Sequence, residues 1–83
     1  MNVWVVPDDG EAALRVDFLW RDQRLIVETD GHRTHGTRQA FERDRRRDQR
    51  LTLAGWRVIR VTWRQLTREP DQVAAMLVAL LLA

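Results

Sequence analysis

The sequence predicts an α/β fold, a mixed four-stranded sheet flanked by helices in the order β-β-β-α-β-α, and three observations carry the prediction. Short runs of alternating apolar and polar residues fill the chain up to Asp30. From Thr37 a charge-rich stretch then continues without Gly or Pro as far as Gly55. Alternation returns in WRVIRVTW, and the chain closes on an apolar segment of helical spacing.

The first strand is residues 3–6, closed by Pro7, Asp8, Asp9 and Gly10, which are strong turn formers. In the second, ending near Trp20, Leu14, Val16 and Phe18 alternate with Arg15 and Asp17. Residues 25–29 supply the third, and Arg21 to Arg24 between them suit a hairpin with two to four residues in its turn. These three strands are expected to form an antiparallel meander.

A helix over residues 37–54 follows, with Gly55 as its stop and Ala40, Phe41, Leu51 and Ala54 as its apolar face. Residues 56–63 make the fourth strand. A strand, a crossover helix and another strand require the third and fourth strands to be parallel, with a right-handed crossover. The last helix begins near Pro70, and Val73, Met76, Leu77, Leu80 and Leu81 form its buried stripe.

Composition narrows the classes of function. The chain has 83 residues, enough for one domain with a modest core. Its 14 basic residues are all arginine, crowded between Arg33 and Arg50, although the net charge is only +2. Arginine remains charged in any pocket and grips phosphate through a planar fork. With no cysteine, neither a disulfide framework nor a thiolate zinc site is available. There is no signal-like segment, and the apolar stretch 73–83 falls short of the ~20 residues that span a bilayer, so a cytoplasmic location is expected.

The chemistry concentrates in LIVETDGHRTHG, residues 25–36. If the hairpin turns about Asp22 and Gln23, Leu19 faces Ile26, Asp17 faces Glu28 and Arg15 faces Asp30. Alternation then puts Asp17, Glu28 and Asp30 on one side of the sheet. Directly opposed carboxylates repel unless a positive charge lies between them, and Mg²⁺ or Mn²⁺ would supply it, with the Thr29 backbone carbonyl as a further oxygen ligand. The rival arrangement pairs Asp17 with Arg15 or a helix arginine and leaves Glu28 at a solvated rim.

His35 could handle a proton near a metal-bound phosphate, since imidazole titrates near neutrality; His32 reads as a surface residue. His32 and His35 resemble a zinc pair by spacing, but no third nitrogen or sulfur ligand exists, which excludes structural zinc. In FERDRRRDQR, many charges can pair along a solvated helix, Arg46 and Arg50 among them. Arg43 and Arg47, four apart, share a face that could meet nucleic-acid phosphates, and Asp44 and Asp48 share the adjacent one. Trp4, Trp20, Trp56 and Trp63 each flank a strand and are expected in the core or at its rim.

Together RVDFLW, LIVETDG with the following His35, FERDRRRD and GWRVIRVTW resemble the very short patch repair (Vsr-like) endonuclease domains, long catalogued as a domain of unknown function within the PD-(D/E)xK nuclease superfamily. The resemblance covers about residues 3–82. It implies a restriction-endonuclease-like fold and a metal-dependent phosphodiesterase acting on DNA. Asp17 corresponds to the strand-two aspartate, Glu28 and Asp30 to the acidic pair of strand three, and His35 to the histidine after Asp-Gly. Asp44, Arg47 and Asp48 match the helix motif.

Two departures accompany it. Asp30 stands where the superfamily's motif lysine is expected, and the helix that usually precedes the first strand is missing. The second departure carries the expectation that the chain is an N-terminally truncated or C-terminal part of a longer protein, with a bare sheet face suited to a homodimer. The competing reading is a catalytically inactive module that binds DNA or a protein partner.

Overall fold

The computed structural model describes residues 3–30 and 37–83. Its elements are β1 (Val3–Val5), β2 (Leu14–Val16), β3 (Phe18–Trp20), β4 (Leu25–Asp30), α1 (Arg38–Leu53), β5 (Arg57–Thr62), α2 (Trp63–Arg68) and α3 (Pro70–Leu82). The chain is α/β as expected, but its strands divide into an antiparallel pair, β1 with β2, and a three-stranded sheet ordered β3-β4-β5.

The hairpin register is the expected one, with Phe18 opposite Val27, Leu19 opposite Ile26 and Trp20 opposite Leu25. β4 and β5 are parallel, Leu25 pairing with Arg57 through to Asp30 with Thr62. The expected second strand, however, breaks at Asp17. β2 leaves to pair with β1, so Arg15 lies opposite Trp4 instead of Asp30.

The break has a local cause in hydrogen bonding. The Thr29 N–H donates to Asp17 Oδ2 at 2.8 Å, and the Asp17 N–H donates to Glu28 Oε2 at 3.4 Å. Each carboxylate thus accepts from the opposite segment's backbone where ladder bonds would have run. Alternation slips by one residue in consequence. Val16 joins Ile26 on one face of the sheet, while Leu25 and Val27 face the other way.

Helices cover both faces. Leu51 of α1, fully buried, packs with Val5, Val16, Ile26 and Trp56. On the opposite face Leu25, Val27 and Val61 pack against Val73, with Met76, Leu77, Leu80 and Leu81 partly buried around them, which is the stripe expected of the last helix. Phe41, expected on the apolar face of α1, is instead exposed, with the Arg45 guanidinium 4.9 Å from its ring centre.

The ends of α1 are written in the sequence. Thr37 caps it by accepting from the Ala40 N–H at 3.1 Å, and Gly55 follows with φ of +92°. Glycine is favoured there by the positive φ; a Cβ on Gly55 would also stand 3.0 Å from the Arg24 guanidinium, which lies over Trp56 and would have to shift by a few tenths of an ångström.

The fourth strand stops earlier than expected, because Thr62 opens the additional helix α2 directly. Its hydroxyl accepts from the Gln65 N–H, and the Gln65 side chain accepts from the Thr62 N–H, a complete capping box. Trp63 is therefore a helix residue, half exposed. Among the described residues no helix is long and apolar enough to cross a membrane.

Candidate functional site

The acidic residues gather where β2 and β3 part from each other beside the end of β4. Glu28 is the buried one, 6% exposed. Its neighbour in the parallel register is Arg60, and its backbone continues the apolar run that keeps β4 in the middle of the sheet. The side chain meets the guanidinium of Arg47, which reaches down from α1, pairs with Oε1 and also donates to the Arg15 carbonyl.

The pair is charged but poorly aligned. Although the Arg47 nitrogen lies against Oε1, no N–H is directed at that oxygen, which stays without a hydrogen-bond donor. Burial pushes the Glu28 carboxyl above its ordinary value of 4.5, Arg47 opposes this, and the nearby Asp17 charge adds to the rise. Glu28 is therefore not at a solvated rim, and it is Glu28, not Asp17, that takes the helix arginine.

Asp17 is half-buried at the strand break. Besides the Thr29 N–H, its Oδ2 accepts from the Thr29 hydroxyl at 2.9 Å. Thr29 thus holds Asp17 through its N–H and its hydroxyl.

Asp30, two residues beyond Glu28, pairs with Arg60 at 3.0 Å. Arg60 also forks onto Asp48 of α1, Nη2 to Oδ1 at 2.8 Å and Nε to Oδ2 at 3.2 Å. Asp48 first and Asp30 second hold the Arg60 guanidinium in its charged form well above the usual arginine range. Asp48 thus bridges α1 and β5 through Arg60, and Asp44 is exposed.

The two candidate phosphate ligands separate. Arg47 turns to the sheet, whereas Arg43 is exposed beside Arg38, Glu42 and Arg46 on the outer surface of α1. Arg50, assigned to a solvated helix face, is instead tied to the loop after β1. It donates to both oxygens of Asp9, at 2.7 and 3.1 Å, and to the Ala12 carbonyl at 2.7 Å. His32 and His35 lie outside the described residues.

Arg60 is the participant that residue patterns missed. The signal was present: a guanidinium between Ile59 and Val61 needs carboxylates, and the parallel pairing puts it beside Glu28. Among the described residues no three His, Cys, Asp or Glu side chains form a ready-made ligand set. The two carboxylates do fit a hard cation chemically, since Glu28 offers a buried oxygen lacking a donor and Asp17 adjoins it. A cavity of about 720 Å³ around Trp4, Arg24, Arg50 and Trp56 includes none of these acids.

Comparison with other proteins agrees with this arrangement at a coarse level. Over 66 residues, 80% of this chain, the sequence is 33% identical to the uncharacterized protein MT2308 of Mycobacterium tuberculosis strain CDC 1551 / Oshkosh. The same figures hold for the uncharacterized protein Rv2248 of strain ATCC 25618 / H37Rv. The matched stretch is 24% of each relative, so the chain spans about a quarter of the length of these curated proteins. No solved structure matches it significantly. The model of the family REase_MTES_1575 matches residues 1–81, and the chain belongs to that restriction endonuclease-like family.

Proposed function

We propose that the chain is a metal-dependent DNA endonuclease domain of the Vsr-like kind, in which Asp17, Glu28 and the Thr29 carbonyl hold Mg²⁺ or Mn²⁺. The observation that carries the reading is the buried Glu28 beside Asp17, with an oxygen that no protein donor satisfies. Membership of a restriction endonuclease-like family supports it. A divalent cation at such a site lowers the pKa of a bound water and offsets charge on the phosphoryl group.

The chain's own residues do the rest. Thr29 orients Asp17 through two hydrogen bonds, and the strand break keeps the Asp17 carboxylate beside Glu28. Asp30, held by Arg60, and His35 are the candidates for moving a proton at the attacking water or leaving oxygen. Exposed Arg43 on α1 offsets the charge of substrate phosphates. Asp48 fixes Arg60 and so the position of Asp30.

The test is cleavage of plasmid and oligonucleotide DNA with Mn²⁺ by the wild type and by Asp17→Ala. The loss in the variant should exceed the roughly 100-fold that removal of an outer partner of a metal site costs. Equal rates in the two proteins refute the assignment.

One observation favours the second reading, a nuclease-like module that binds DNA or a protein partner without cleaving. Each acidic side chain already has a protein partner: Arg47 for Glu28, Arg60 for Asp30 and Thr29 for Asp17. That reading predicts binding without hydrolysis and no calorimetric signal at millimolar Mn²⁺.

A further inference from the structure

Three arginine–carboxylate contacts tie α1 to the strands and the loop before β2, and they are not equivalent. Arg50 meets Asp9 through two hydrogen bonds, and Arg60 meets Asp48 the same way. Arg47 neutralises Glu28 without directing an N–H at Oε1, and its other nitrogen is spent on the Arg15 carbonyl. Glu28 therefore has its charge balanced and one oxygen, Oε2, on the Asp17 N–H, while Oε1 lacks a hydrogen bond of ordinary geometry. A fork that suited the site would leave no such oxygen.

A buried carboxylate accepts whichever cation fits it best. Oxygen ligands approach Mg²⁺ at about 2.0–2.1 Å, and with Oε2 taking the Asp17 N–H, a metal at Glu28 has to occupy Oε1, the oxygen that the Arg47 guanidinium covers. We infer that Arg47 is an exchangeable counter-ion, which occupies Glu28 in the metal-free chain and is expelled when a divalent cation binds between Glu28 and Asp17. The inference rests on the metal-binding reading proposed above. It adds that the site has a built-in competitor.

Competition is reciprocal, because any group that holds Glu28 only in the metal-free state weakens the metal by the same factor that the metal weakens it. Removal of the guanidinium must then tighten metal binding. A guanidinium that stayed on Glu28 would also repel the metal, so the affinity change reads the competition, and the response of the Arg47 side chain to metal reads its expulsion. Expulsion also frees the Arg15 carbonyl contact, so metal occupancy is transmitted to the junction between α1 and β2.

The experiment is a Mn²⁺ titration followed by electron paramagnetic resonance of the free ion, on the wild type, Arg47→Gln and Arg50→Gln. Arg47→Gln is expected to bind Mn²⁺ about fivefold tighter or more, the lower end of ordinary coupling between sites. Arg50→Gln, which also unties α1, should match the wild type. Equal or weaker binding by Arg47→Gln, with the wild type binding, overturns the inference and leaves the metal reading standing. No binding by any of the three overturns both.

A measurement on the unaltered chain guards against a variant that does not fold. During a Mg²⁺ titration the side-chain Nε–H resonance of Arg47 should move while that of Arg50 stays in place. An unmoved Arg47 resonance under saturating Mg²⁺ overturns the inference as well.

Discussion

Arg47 and Arg50 sit on the same helix three residues apart, each holding one carboxylate, and the two carboxyls are displaced from their ordinary values in opposite directions. Asp9 lies at the surface, takes two hydrogen bonds from Arg50, and is held below its ordinary value of 3.8 by that pairing first and the Glu11 N–H second. Glu28 lies in the sheet, and burial pushes it above 4.5 despite Arg47. The same two functional groups thus make a clamp on a surface acid in one place and surround a buried acid that is harder to ionise in the other. What differs is how much water the carboxylate gives up and how well the fork is aligned.

The largest effect is expected at Leu51, the fully buried residue of α1, which adjoins Arg50 and lies one turn from Arg47. Leu51→Ala should lower the unfolding free energy by about 2–5 kcal/mol, as measured by urea denaturation. Once the variant unfolds, each carboxylate should titrate at its ordinary value, 3.8 for Asp9 and 4.5 for Glu28.

A smaller effect sharpens the contrast through pH. The folded chain holds the Glu28 proton more tightly than the unfolded chain, so stability falls as pH rises from about 4.5 through the raised folded value. That loss amounts to at most about 1.4 kcal/mol for each pH unit of the window. Glu28→Gln should remove this component, so wild type minus variant gives a descending curve in that range. A difference that is flat with pH refutes the burial account.

Asp9→Asn should show the smallest change and the opposite sign. The stabilisation from Asp9 is present above 3.8 and is lost as pH falls through its lowered folded value. The variant should therefore melt slightly below the wild type at neutral pH and match it in strong acid. Added salt should shrink the gap at this exposed pair.

Much of the scaffold was legible from local chemistry. Thr37 and Gly55 mark the ends of α1, the hairpin register follows from its turn, and the crossover requires β4 and β5 to be parallel. The capping box at Thr62 and Gln65 was also written in the sequence, but Trp63 continues the alternation and masks it.

The site itself was legible only in its acids. The break at Asp17 arises from side chains replacing ladder bonds, and apolar alternation carries no mark of that. Arg47 and Arg60 find their carboxylates through the packing of α1 and the parallel pairing. A long side chain on a helix can reach either the sheet or water, and its neighbours in sequence do not decide which.

The parallel pairing has a consequence for the order in which the site assembles. Residues joined in the β4–β5 ladder are separated by 32 positions throughout, whereas β3 and β4 close over the short turn Arg21 to Arg24. Closing the longer loop removes more chain entropy, so the hairpin contacts are the less demanding to make. Asp17 and Glu28 are therefore brought together by local sequence, while Arg47 and Arg60 arrive only with the crossover. Chain entropy thus favours the meeting of the two acids over the arrival of their guanidinium partners.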